Sequence, residues 1–213
     1  MSPKIIKADT KKAIETGLRT AVAVIKGGGV VAFPTESFYG LGVNATDERA
    51  VRHLFTIKKR RSDQPVLILI PTREMLDRYV VRIPKSAEKL ITHFWPGGLT
   101  LVFEAGPNTL QSLTGGTGRI GVRISSHPVA TGLSLKAVLP ITGTSANVSG
   151  EPAPTRAEQV VDSFRDTVDL ILDGGETQGG KGSTILDMTV DPPRVLREGM
   201  VERGELEKFI PLS

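Results

Sequence analysis

The sequence predicts one α/β domain built on a twisted, largely mixed open β-sheet flanked by helices. Three observations carry that expectation. The apolar runs at 30–33 and 65–70 are continuous rather than alternating, the pattern of buried strands, the second covered on both faces. Segments with helical spacing of apolar residues interleave with such runs along the whole chain. No repeat, low-complexity tract or Pro/Gly-rich linker divides the 213 residues, of which 39% are hydrophobic, so the expected unit is a single domain over 1–213 with one large core.

Taken in order, Asp9 or Thr10 caps a helix running to about Lys26, with Ala13, Leu18, Ala21, Val22 and Ile25 on its apolar side and Gly27-Gly28-Gly29 ending it. A strand at 30–34 opens at Pro34 into a polar loop through Gly42. Asp47 starts a second helix that turns Ala50, Val51, Leu54, Phe55 and Ile57 inward and ends in Lys58-Lys59-Arg60-Arg61. A strand at 65–70 and short helices at 72–80 and 84–93 follow, and Phe94-Trp95-Pro96-Gly97-Gly98 breaks the chain before a strand at 99–104. Another strand covers 120–124, and Pro128 suits the first position of a helix. The strand at 139–143 enters Ser145-Ala146-Asn147-Val148-Ser149-Gly150, and Thr155 with Glu158 has the capping-box pattern for a helix at 155–165. Strands at 168–172, 183–189 and 194–198 and a helix near 202–210 close the chain.

Composition narrows the chemistry. Cysteine is absent, which removes disulfides, thiolate metal sites and a cysteine nucleophile. His53, His93 and His127 are too scattered for a histidine zinc site. Met1-Ser2-Pro3-Lys4 has no signal pattern and no apolar run reaches the ~20 residues of a membrane helix, so a cytoplasmic protein without membrane contact is expected. A net charge of +4 and a pI near 9.4 fit an anionic partner, nucleotide or RNA. An aromatic content of 5% disfavours a base-stacking platform.

Two glycine motifs fail on context. Residues 116–121 spell G-x-G-x-x-G, but a strand follows where a helix N-terminus must meet the pyrophosphate. Residues 175–181 approach a P-loop, yet Gly182 stands where Ser or Thr must hold magnesium. No Ser-His-Asp arrangement and no spaced carboxylate pair emerges.

What survives is a scattered polar set. Lys58, Arg60, Arg61 and Ser62 gather at a helix end; the plain reading is dipole matching, the functional one an anion such as a triphosphate that relieves their repulsion. Ser145-x-Asn147 after a strand offers hydroxyl and amide groups to phosphate or ribose, although the same residues make turns. Arg123 within a strand either points outward, pairs with a carboxylate, or offers its fork to an amino-acid carboxylate. Ser183 and Thr184 open one strand and Arg197 closes the next, so strand ends can bring these groups to one cleft.

These residues fall into an ordered series: PTES-x-YGLG (34–42), K-x-R at 58–60, D-x-P at 63–65, FWPGGLTLVF (94–103), GVR-x-x-x-HP (121–128), SANVSG-x-P-x-PT (145–155), ILDGG (171–175), ST-x-x-D (183–187) and VLREG (195–199). The chain thereby resembles the YrdC-like threonylcarbamoyl-AMP synthases over nearly its full length. The resemblance implies a twisted α/β fold around a basic concave cavity. It implies a nucleotidyltransferase that joins L-threonine, bicarbonate and ATP, with Mg2+ accompanying ATP, into threonylcarbamoyl-adenylate and pyrophosphate. Partner proteins would pass the group to tRNA, and weak RNA binding is conceivable for the basic surface. By motif, Lys58, Arg60, Ser62, Ser145, Asn147 and Arg197 would hold ATP, with Lys58 and Arg60 catalytic. Thr35, Arg123, the backbone near Gly143, and Ser183 would hold threonine, and no residue would be a dedicated metal ligand. Ending at 213, the chain would correspond to the single-domain form. Gln64 and the Gly-Gly-Lys-Gly stretch before Ser183 depart from the pattern. Two other readings stay open: a non-catalytic double-stranded RNA or tRNA-binding module, and a YciO-like paralogue with another substrate.

Overall fold

Helix starts follow the capping chemistry of the sequence. The Thr10 hydroxyl accepts from Ala13 N at 3.2 Å, and Asp47 Oδ1 accepts from Arg49 N and Ala50 N at 2.9 and 3.2 Å, each relieving backbone donors that a first turn leaves unpaired. The computed structural model describes residues 3–213. Its elements are β1 (Lys4–Lys7), α1 (Lys11–Lys26), β2 (Val31–Pro34), β3 (Tyr39–Gly42), α2 (Glu48–Ile57), β4 (Leu67–Leu69), a 3₁₀ helix at Arg73–Arg78, and α3 (Lys85–Phe94). They continue with β5 (Leu99–Glu104), α4 (Gln111–Thr114), β6 (Arg119–Arg123), α5 (Pro128–Ala137), β7 (Ile141–Ser145), α6 (Ala157–Phe164), β8 (Leu170–Asp173), β9 (Thr184–Asp187), β10 (Arg194–Arg197) and α7 (Arg203–Glu207).

The strands form one mixed sheet in the order β1-β8-β2-β3-β7-β4-β6-β5-β9-β10. The pairs β1–β8, β2–β8, β4–β6 and β5–β9 run parallel, and β2–β3, β3–β7, β4–β7, β5–β6 and β9–β10 antiparallel. One face packs Val51, Leu54, Leu90, Ile91, Val160 and Phe164 of α2, α3 and α6 against strand residues such as Leu101, Ile120, Val122 and Leu186. The opposite face is covered by Leu18, Ala21 and Ile25 of α1 and Val129, Ala130 and Leu133 of α5, which meet Val31, Phe33, Leu170 and Leu172. That second cluster takes no residue from β5, β6, β9 or β10. The sheet is therefore sandwiched at one end and bare on one face at the other.

Three expectations are corrected and two elements are added. The loop expected after Pro34 returns at once as β3, buried along its whole length. Its glycines hid it, yet they are what the pairing needs: a Cβ at Gly42 would lie 2.7 Å from Phe33 Cε1. β1, with lysines flanking two isoleucines, and the one-turn α4 were not expected from the sequence. The 72–80 helix is a shorter 3₁₀ turn. At α6 the capping side chain is Gln159, whose Oε1 accepts from Thr155 N at 2.8 Å and Arg156 N at 3.1 Å; Glu158 sits one position too early to reach back.

Candidate active site

On the bare face, period-two alternation decides what the strands present. In β6, Ile120 and Val122 enter the core, so Arg119, Gly121 and Arg123 project the other way and line a cavity of about 600 Å3. Thr100 and Val102 of β5, Ile185 of β9 with the preceding Ser183, and Gly143 and Ser145 of β7 line it with them. Gly143 keeps this floor close-packed, since a Cβ there would meet Leu67 Cδ1 at 2.6 Å and Leu69 Cγ at 3.0 Å. A second cavity of about 440 Å3 is walled by Lys58, Lys59, Arg60, Arg61, Gln64, Ser145, Asn147, Ser149 and Gly150. Arg60 and Ser145 line both cavities, so the two adjoin.

The end of α2 explains why the basic pair is spaced as K-x-R. Arg60 N bonds to Phe55 O at 2.9 Å and Lys59 N to Thr56 O at 3.1 Å, the double closure of a Schellman turn. Lys59 takes the left-handed position, with φ 49. Lys58 thus turns under the neighbouring loop, where its Nζ donates to Ser145 O at 2.5 Å and Asn147 O at 2.6 Å. It is 1% exposed, and burial, with the Arg60 charge adding to it, pulls its pKa down to about 7. The two carbonyls act in the other sense by solvating the ammonium. Arg60 donates to Pro65 O at 2.8 Å, and burial lowers its pKa too. Arg61 pairs with Asp63 on the surface at 2.5 Å.

Asn147 shows a deficit that points outward. Its Nδ2 donates to Val148 O at 3.0 Å and Glu151 O at 2.6 Å, which fixes the amide orientation. Its Oδ1, and the Ser149 hydroxyl beside it, are buried without a partner, a cost of about 1–3 kcal/mol for each group that a ligand would remove.

Across the larger cavity, Ser183 Oγ accepts from Thr100 Oγ1 at 2.8 Å and Arg197 Nη2 at 3.2 Å, which leaves its own hydrogen free. Arg197 also holds Ser183 O at 2.8 Å, and its pKa is lowered by burial and by Arg123. Thr35 Oγ1 donates to Phe38 O at 2.7 Å and accepts from Ser37 N at 3.3 Å, bracing the β2–β3 turn. Arg123 Nη1 pairs with Glu36 Oε1, and both side chains are nearly inaccessible.

The structure thus brings Thr35, Arg60, Arg123, Gly143, Ser145, Ser183 and Arg197 to one cavity, with Lys58 and Asn147 on its neighbour. Ser62 is the exception: it is exposed and lines neither. Sequence reasoning missed the roles of Glu36, Thr100 and Arg119, the last paired with fully buried Asp187 at 2.9 Å. Alternation in β5 and β6 was the signal that placed Thr100 and Arg119 beside Gly121 and Arg123. Tyr39 escaped as well; its hydroxyl donates to Gly175 O at 2.7 Å and anchors the glycine loop after β8, while burial raises its pKa.

Comparison with known proteins identifies the family. The Sua5/YciO/YrdC family model, described as "Telomere recombination", matches residues 23–199. The threonylcarbamoyl-AMP synthase of Pyrococcus abyssi (strain GE5 / Orsay) is 43% identical over 196 residues, covering 92% of this chain and 58% of that protein. The threonylcarbamoyl-AMP synthase of Bacillus subtilis (strain 168) is 38% identical over 191 residues, covering 89% and 55%, so the chain spans little more than half the length of these relatives. A crystal structure of P. abyssi Sua5 complexed with L-threonine superimposes with a TM-score of 0.93 at 39% identity, covering 100% of this chain and 63% of that one. The chain belongs to the Sua5/YciO/YrdC family.

Proposed function

We propose that the chain is an L-threonylcarbamoyladenylate synthase, a nucleotidyltransferase that converts L-threonine, bicarbonate and ATP into threonylcarbamoyl-AMP and pyrophosphate. The observation that carries this reading is the pair of adjoining cavities, one holding a buried arginine on a polar strand face and the other walled by four cations around the Ser145–Gly150 loop. Arg123 takes the threonine carboxylate, with the Ser183 hydroxyl, Thr35 and the Gly143 backbone around the rest of the amino acid. Lys58 and Arg60 neutralise phosphate charge, Ser145 and Asn147 meet the nucleotide from the facing loop, and Arg197 lies between the two substrates. Ser62, being outside both cavities, takes no part in this assignment.

The threonine amine adds to bicarbonate with loss of water, and the resulting carbamate oxygen attacks the α-phosphate as pyrophosphate leaves. Catalysis then rests on alignment and charge neutralisation. Among the described residues no group of three or more His, Asp or Glu side chains could hold a metal. The neutral oxygens of Asn147 and Ser149 suit a Mg2+ ion carried mainly by the triphosphate, where it would offset phosphate charge. Among the same residues no helix is long and apolar enough to cross a membrane. On this reading the enzyme works in the cytoplasm, partner proteins pass the threonylcarbamoyl group on to tRNA, and the basic surface makes weak RNA contact.

Pyrophosphate release from Mg·ATP, with threonine and bicarbonate omitted in turn, tests the reading. Release that needs both is expected; release indifferent to threonine, or none, overturns it.

A further inference from the structure

Glu36 has no part in the chemistry above, yet both of its carboxylate oxygens are held beside the cavity. It is absent from the cavity lining, whereas its neighbours Thr35 and Ser37 belong to it. Its Oε1 pairs with Arg123 Nη1, and its Oε2 accepts from Ser125 Oγ at 2.5 Å. Ser125 Oγ in turn accepts from His127 N at 3.2 Å, at the start of α5. The carboxylate is thus clamped from both sides, by the guanidinium and by the segment that links β6 to α5.

What this clamp leaves free is informative. A guanidinium has two edges able to grip a carboxylate: the end formed by both Nη atoms and the side formed by Nε and Nη2. Glu36 occupies Nη1 and so removes the end. Arg123 Nε is buried without any partner, on a side chain that is only 7% exposed. An orphaned donor of this kind, on a residue lining the cavity, marks where a ligand oxygen belongs.

We infer that Glu36, braced by Ser125, is a positioning residue that turns the Nε–Nη2 edge of Arg123 toward the substrate carboxylate. It rests on the proposed threonine site and names what makes that site selective for a free α-carboxylate. Without the Glu36 charge the guanidinium is free to swing and present either edge, so discrimination falls while the phosphate cavity is untouched.

The test is calorimetric binding of L-threonine and of L-threoninamide, which lacks the carboxylate, to the full chain. The wild-type protein is expected to prefer threonine by about tenfold or more, in the range of a charge-assisted bidentate contact. Glu36→Gln should bring the two ligands within about threefold, Glu36→Asp should keep most of the preference, and Ser125→Ala should fall between, all with unchanged affinity for a non-hydrolysable ATP analogue. A wild-type preference retained in Glu36→Gln overturns the inference. If that variant does not fold, Ser125→Ala decides, and an unchanged preference there overturns it equally. A wild-type protein that binds the ATP analogue but no threonine overturns the amino-acid site itself, and the inference with it.

Discussion

The two ends of the sheet are made from the same kind of strand and put to opposite uses. In β2 and β8 every residue is buried, because helices lie on both faces. In β5 and β6 one face is equally apolar, but the other carries Thr100, Gly121, Arg119 and Arg123 with no helix over it. The covered end derives its stability from apolar burial on both faces; the bare end has an apolar face on one side only and a polar floor fixed by its strands on the other. The cavity floor is set by the sheet, and the end of α2, the loops at 145–150 and 174–183, the β2–β3 turn and the end of β10 close around it.

Substitutions separate these roles. The largest expected effect on stability is at the covered end. Leu172→Ala empties a fully buried site beneath α1 and should cost about 2–5 kcal/mol, read as a fall in the urea midpoint, while the kinetic constants of the folded protein stay put. A matching loss of substrate affinity would break the division between the two ends.

Next comes Lys58→Met in the bare end. It strips donors from Ser145 O and Asn147 O and a charge from the phosphate cavity, so adenylate formation should fall about a hundredfold or more. The pH response sharpens this. The folded pKa of about 7 lies below the unfolded value of about 10.4, so between these limits the folded state binds fewer protons and Lys58 makes stability rise with pH. Nucleotide affinity should move the other way, weakening above pH about 7 as the ammonium is lost. Both slopes should be absent from Lys58→Met in urea and calorimetric titrations across pH 6.5 to 9, the range bracketing that pKa.

The smallest effect is expected from Arg197→Ala. It frees the Ser183 carbonyl and one acceptor contact of its hydroxyl while Thr100 still donates. The catalytic efficiency should drop about three- to tenfold, with stability changed by no more than about 1 kcal/mol. Unaltered efficiency would remove Arg197 from the site.

What the sequence made legible follows from distance along the chain. The boundaries of β5 were read as they stand, and α1, α2 and α5 were legible from local periodicity and caps. β3 was not, because its two glycines carry no hydrophobic pattern and their use lies in the packing of Phe33. The K-x-R and S-x-N pairs were legible as motifs, yet the Lys58 clasp on the Ser145 loop joins residues 87 and 89 positions apart. The same holds for Arg123 with Glu36, separated by 87 positions: the arginine's need for a partner could be foreseen, the partner could not.

A crystal structure of the chain with L-threonine and a non-hydrolysable ATP analogue tests the central assignment most directly. The threonine carboxylate is expected on the Nε–Nη2 edge of Arg123 and the phosphates between Lys58, Arg60 and the Ser145–Gly150 loop. Ligands seated on the helix-covered end of the sheet, or threonine bound with its carboxylate away from Arg123, would contradict it.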